Sequence, residues 1–187
     1  MRSAAFIAVV LALAGCGSDS GSKQSASTNR KADCAPLTGA ALTPQTSSAQ
    51  ENRATAYLTT VGLDTIECSD RVAFGFEPTK AGPGYQVSYE SADRAKVEDG
   101  SGKPVKIAGS AFLVVRLTPA MTAHLSGDKV DPTYTGPRRI TPEGFSFVRQ
   151  VVKTGDFEAV VTWVIGLDGK RPFKTTASKS RLLIEIG

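Results

Sequence analysis

One histidine serves the whole chain, and that bounds the chemistry open to it. Serine-hydrolase catalysis needs an imidazole, or a substitute base, beside an activated serine. His124 lies in Thr122-Ala123-His124-Leu125-Ser126, and no serine sits in a nucleophile elbow. A catalytic zinc takes about three protein ligands, more than one histidine with sparse acids around it supplies. The carboxylate pairs Glu98/Asp99 and Asp128/Asp131 have the chemistry for glycoside cleavage. Their neighbours are rich in Gly, Ser and Pro, however, so turn formation accounts for them. No phosphate-cradling glycine loop is present. The residues therefore describe a chain that is not an enzyme, holds no metal and needs no cofactor, with His124 as a loop hydrogen-bonder.

Recognition is better supplied. Tyr134-Thr135-Gly136-Pro137-Arg138-Arg139-Ile140 sets an aromatic ring beside two guanidinium groups on a Gly/Pro-stiffened loop. Guanidinium forks grip carboxylates or phosphates bidentately, and a tyrosine face stacks on sugars or peptide groups. Lys170, Arg171 and Lys174 crowd the Asp168-Gly169 turn and form a second basic patch. The expected ligand contacts are Tyr134, Arg138, Arg139 and Arg171. The plainer alternative leaves both loop arginines solvated or one paired with Glu143, with Arg71 and Arg171 in structural salt bridges.

The three cysteines carry a different message. Arg2 precedes an apolar stretch that ends in Leu13-Ala14-Gly15-Cys16, the layout of an export leader with a small-residue cleavage site. The apolar stretch rises only about 16 Å as a helix, short of the roughly 20 residues a membrane span needs. The tetrapeptide resembles a bacterial lipobox, which implies cleavage before Cys16 and acylation of its thiol. Two acyl chains hold a protein stably to a bilayer where one does not. Residues 1–15 are thus read as the leader and 16–52 as a lipidated N-terminus with a Ser/Gly-rich linker. Residues 53–187 are read as the folded domain. The run from Gly17 to Asp33 has no Leu, Ile, Val or aromatic residue, so it lacks the apolar surface to offset its ordering entropy.

Cys34 and Cys68 remain, and an even pair in an exported chain reads as a disulfide. The expected location is extracytoplasmic, on the outer face of a bacterial cell membrane. A formal charge of +4 suits an anionic envelope and, with export, excludes nucleic acid as a partner.

Positioning these residues falls to strands. Apolar residues recur with period two, and no amphipathic helix stands out. Tyr57, Thr59, Val61 and Leu63 alternate, as do Val72, Phe74 and Phe76, then Tyr85, Val87 and Tyr89 beyond an Ala81-Gly82-Pro83-Gly84 turn. The run Ala111–Leu117 is apolar on both faces and reads as a buried strand. Residues 145–153 and 157–166 read as two strands joined at Thr154-Gly155-Asp156, with Phe157, Val161, Trp163 and Ile165 sharing a core face. Asp168-Gly169 predicts a type I′ hairpin with Phe173–Ala177 as its return strand. Arg181–Ile186 follows with Leu182, Ile184 and Ile186 inward. Residues 119–142 read as a long irregular loop. Short strands parted by Gly/Pro turns predict an all-β, antiparallel sandwich or barrel.

An ordered set of blocks carries a resemblance. It comprises Asp70-Arg71-Val72-Ala73-Phe74, Pro83-Gly84-Tyr85-Gln86-Val87-Ser88-Tyr89, Tyr134-Thr135-Gly136-Pro137 and Gly155-Asp156-Phe157-Glu158. Thr162-Trp163-Val164-Ile165-Gly166-Leu167-Asp168, Arg171-Pro172-Phe173 and Arg181-Leu182-Leu183-Ile184-Glu185-Ile186 complete it. From about Thr55 to Gly187 the chain resembles the AMIN-like domain of exported actinobacterial proteins and lipoproteins. The resemblance implies a β-sandwich related to the AMIN module, a non-catalytic part of cell-wall amidases. Its implied partners are peptidoglycan or another envelope polymer or protein. The alternative is a lipid or small-molecule carrier with Phe74, Phe76, Phe112 and Phe147 lining a cleft between the sheets. An aromatic content of 7% argues that these rings fill an ordinary core instead.

Overall fold

Strict alternation puts Val72, Phe74 and Phe76 on one face of a strand and Leu182, Ile184 and Ile186 on the same face of its neighbour, none more than 5% exposed. The computed structural model in which this is seen describes residues 34–47, 54–78, 82 and 84–187. The leader, Cys16, the run to Asp33 and the domain boundary expected at Arg53 lie outside the described residues.

In chain order the strands begin with β1 (Gln45–Thr46), β2 (Ala56–Ile66), β3 (Ser69–Phe76) and β4 (Tyr85–Glu90). A single helical turn, α1 (Ala92–Ala95), precedes β5 (Ala111–Leu117). The stretch expected to be irregular contains β6 (Ala120–Met121), β7 (Ala123–Ser126), β8 (Lys129–Pro132) and β9 (Arg139–Ile140). Then come β10 (Val148–Phe157), β11 (Val160–Leu167), β12 (Phe173–Ala177) and β13 (Arg181–Ile186). One sheet runs β1-β4-β5-β11-β10-β9 and the other β12-β13-β3-β2-β6, with β7 and β8 as a separate hairpin. Every pairing is antiparallel except β2 with β6. The all-β antiparallel fold expected from the alternation is observed, and it is the sandwich that the resemblance implies rather than a closed barrel.

Between the sheets lies the main core, with Trp163 and Phe74 fully buried and edge-on at 6.0 Å between ring centroids. A second cluster explains why β5 is apolar on both faces. On the outer face of the large sheet, Phe112, Val114, Val152 and Val164 pack beneath Ala95, Val105 and Ile107. The covering stretch is held where the main chain has no room for a side chain. A Cβ on Gly166 would stand 1.9 Å from the carbonyl oxygen of Ala108.

Four expectations differ from what forms. A register shift between Leu58 and Thr60 flips the inward face of β2, so Ala56 and Leu58 are buried in place of Tyr57 and Thr59. The bulge restores Val61 and Leu63 to the core side. Strand β10 runs on through Thr154-Gly155-Asp156, and the reversal falls at Glu158-Ala159, with φ of 52° and 58°. Phe157 is consequently 58% exposed. Asp168-Gly169 closes no hairpin, because β12 crosses to the other sheet and pairs with β13.

Finally, residues 34–47, read as linker, belong to the folded unit. Cys34 is disulfide-bonded to Cys68, as the even cysteine count predicts. Ala41 exchanges backbone hydrogen bonds with Phe173, at 2.9 and 3.0 Å. The Gln45 amide donates to the Phe173 carbonyl at 2.6 Å and accepts from the Thr175 backbone N–H at 2.8 Å. Because β1 also pairs with β4, this strap ties one margin of each sheet together.

Candidate functional site

Tyr134 does not present its ring to solvent. It is 8% exposed and stands edge-on to Trp163, and burial pushes its hydroxyl pKa up. Its hydroxyl donates to the Pro137 carbonyl at 2.8 Å. A Cβ on Gly136 would meet the Tyr134 ring at 2.7 Å, so the Tyr-Thr-Gly-Pro sequence is a closed turn around a core tyrosine. The stacking platform expected there is corrected to a packing residue, because the apolar gain of burying the ring exceeds that of leaving it wet.

Arg171 lies apart from the loop. Its guanidinium grips Asp168, with Nη2 to Oδ2 at 2.9 Å, and covers the Phe147 ring at 4.8 Å. That pairing holds the Asp168 carboxyl below the usual range. Lys170 Nζ sits 5.7 Å from the Tyr89 ring centroid. The second basic patch is thus largely engaged in structure.

Arg138 and Arg139 are brought together with groups the motif did not include. Residues 96–105 fold back on themselves through Glu98 N–H to Lys103 O and Val105 N–H to Lys96 O, both 2.8 Å. This sets Lys96 beside Val105. Arg139 faces Val152 across β9 and β10, so its side chain shares the outer face and reaches the covering stretch. There its Nη1 donates to the Lys106 carbonyl at 2.7 Å and to Gln150 Oε1.

Two recesses result. The smaller, about 310 Å3, is lined by Glu98, Asp99, Arg138, Lys153, Asp156 and Phe157 among others. Both of its cations are matched from within: Arg138 meets Glu98 and Lys153 meets Asp156, each at 3.1 Å. The Ser101 hydroxyl, and then Arg138, hold the Glu98 carboxyl below its ordinary value. The larger recess, about 560 Å3, is lined by Pro104, Val105, Ile107 and Ala108 together with Lys96, Lys106, Arg139 and Gln150. No carboxylate lines it. Among the described residues, none of its three cations takes part in a salt bridge. Lys96, Lys106 and Gln150 were missed in the sequence. The one available sign was the Lys-Pro-Val-Lys-Ile run after a glycine turn.

The catalytic candidates do not converge. His124 Nε2 lies 3.0 Å from Glu77 Oε1, and its ring is 3.9 Å from that of Tyr57. Asp131 faces His124 across the β7–β8 hairpin, while Asp128 sits at its turn. Among the described residues, no three His, Cys, Asp or Glu side chains are placed to hold a metal. Nor do the four phenylalanines line one cleft. Phe112 belongs to the outer cluster, whereas Phe74 and Phe76 are in the inner core.

No curated protein and no solved structure matches the chain. Residues 56–187 do match one known family, from the first residue of β2 to the end of the chain and so across both sheets. The chain belongs to the AMIN-like domain family.

Proposed function

We propose that this chain is a non-catalytic binding module of the bacterial envelope, held by lipid on Cys16 to the outer face of the cell membrane. Residues 1–15 act as a cleaved leader, and the Ser/Gly-rich run after Cys16 lets the sandwich stand off the bilayer. The domain then binds peptidoglycan, another wall polymer or an envelope protein. Family membership over 56–187 is the observation that carries this reading. The outer face of the large sheet supports it, since Arg138 and Arg139 stand there beside open recesses. Confinement to a thin layer raises the effective concentration of such a domain for nearby targets without any chemistry.

The test is co-sedimentation of the full chain, in detergent micelles, with insoluble cell wall, beside an inert β-domain in the same micelles. Retention above that control is the expected result, and equal retention refutes wall binding. Mass spectrometry of the protein from its native membrane should find fatty acid on Cys16. Unmodified Cys16 would remove the anchor from the account.

A further inference from the structure

We propose that the larger recess is a carboxylate site, taking the free C-terminal end of a short peptide with small aliphatic side chains. This deepens the envelope-binding reading and rests on it for the physiological source of such a peptide. A recess of about 560 Å3 lies in the ordinary range of ligand clefts, roughly 300–1,000 Å3.

Charge selects the sign of the ligand. Lys96, Lys106 and Arg139 surround a recess with no lining carboxylate, and none is salt-bridged among the described residues. The smaller recess next to it carries cations too, but its acids already meet them. An anion entering the larger recess displaces no existing partner.

Arg139 is set in advance for a two-pronged grip. Its Nη1 is occupied by the Lys106 carbonyl and by Gln150 Oε1. Gln150 is itself fixed, donating to Thr141 Oγ1 at 2.9 Å and accepting from the Ala108 N–H at 3.2 Å. The Nε–Nη2 edge makes no hydrogen bond among the described residues, which suits a planar carboxylate. Lys96 is likewise held, its Nζ 4.3 Å from the centroid of the Phe112 ring.

The apolar part of the lining decides between anions. Pro104, Val105, Ile107 and Ala108 give the recess an apolar surface, which a polyol phosphate, polar along its whole length, would leave uncovered. An aliphatic body behind a carboxylate covers those apolar residues and places its charge among the cations.

The experiment follows backbone amide NMR signals of the full chain in detergent micelles. Probes are N-acetyl-Ala-Ala with a free carboxylate, the same peptide as its C-terminal amide, and glycerol 1-phosphate. Saturable shifts at Val105, Ile107 and Ala108 are expected with the carboxylate. The amide and the phosphate should each bind about tenfold more weakly. Arg139→Gln should weaken carboxylate binding about tenfold, with Arg139→Lys recovering only part of it. Lys106→Gln, at an exposed side chain, should weaken it less while leaving the fold unchanged.

Equal binding of acid and amide, or tighter binding of the phosphate, overturns the proposal. So does retention on cell wall with no probe shifting the recess, an outcome that spares the envelope reading. Carboxylate binding without wall retention supports the site and sinks the wall instead.

Discussion

Tyr134 stands edge-on to Trp163, with ring planes at 89° and centroids 5.6 Å apart. A residue whose sequence setting suggests a ligand platform is therefore a wall of the core. In the proposed binding site, recognition falls instead to the guanidinium and ammonium groups on the outer face of the large sheet.

Tyr134→Phe removes only the hydrogen bond to the Pro137 carbonyl and should cost about 1 kcal/mol of stability. Tyr134→Ala also removes the ring from the Trp163 edge and should cost about 3–5 kcal/mol. Urea denaturation measures both. Wall retention by Tyr134→Phe should equal that of the unaltered chain. A selective loss of retention at unchanged stability would return Tyr134 to the binding surface.

Asp70 is 1% exposed and accepts backbone N–H bonds from Ser146, Phe147 and Val148, at 3.2, 2.6 and 2.7 Å. It pins the start of β10 to the opposite sheet. Asp70→Asn turns an N–H donor toward these amides and should destabilise by about 2–4 kcal/mol. An isothermal denaturation midpoint equal to that of the unaltered chain would show the amides are satisfied otherwise.

The strap gives a local test. Gln45→Ala strands the Thr175 N–H and should cost about 1–3 kcal/mol, with faster hydrogen exchange at Thr175 than at β3 amides. Replacing both Cys34 and Cys68 by serine frees the start of the strap. In the chain-entropy account it costs about 4 kcal/mol, on top of the same local acceleration. Unchanged exchange at Thr175 in both variants would mean the strap holds nothing.

At the β10–β11 turn, Glu158 and Ala159 both have positive φ, a conformation that costs side-chain-bearing residues energy. Asn-Gly is the preferred pair for such a turn. Glu158→Asn with Ala159→Gly should therefore raise stability by about 1 kcal/mol, seen as a higher denaturant midpoint at unchanged slope. A lower midpoint would mean that Glu158 or Ala159 makes a contact outweighing the strain.

Acid should loosen the Asp168 corner. Its carboxyl pKa is held down chiefly by the Arg171 guanidinium and further by Arg149. The associated stability is complete above the unfolded aspartate value, about 4, and disappears as pH falls through the lower folded value. Denaturation between pH 6 and 2 should show that loss, reduced in Arg171→Gln. An identical pH profile in that variant would place the acid sensitivity elsewhere.

Local patterning explains what could be read in advance. Val72-Phe74-Phe76 and Leu182-Ile184-Ile186 alternate without a break, and Ala111–Leu117 is apolar but for Arg116, so β3, β13 and β5 were legible as strands. The bulge in β2 was not, because a single extra residue leaves no compositional mark while reversing every side chain before it. Glu158-Ala159 lacks the residues that announce positive φ, whereas Asp168-Gly169 has them and makes no hairpin. Tertiary packing overrode both signals. Gln45 reaches a partner 128 residues away, beyond any local pattern. Arg139 was visible as a cation, but Lys96 and Lys106 join it only when the 96–105 loop folds back.

The lateral strands have a wider consequence. β1, β6 and β9 are two residues each, and the longer β12 is covered by Ala41 and Gln45. Of β2, however, β6 covers only Ala56 and Tyr57, so among the described residues most of that long strand keeps an unpaired outer edge. Where many copies are crowded on one surface, that edge is the place at which a strand of another chain could be added.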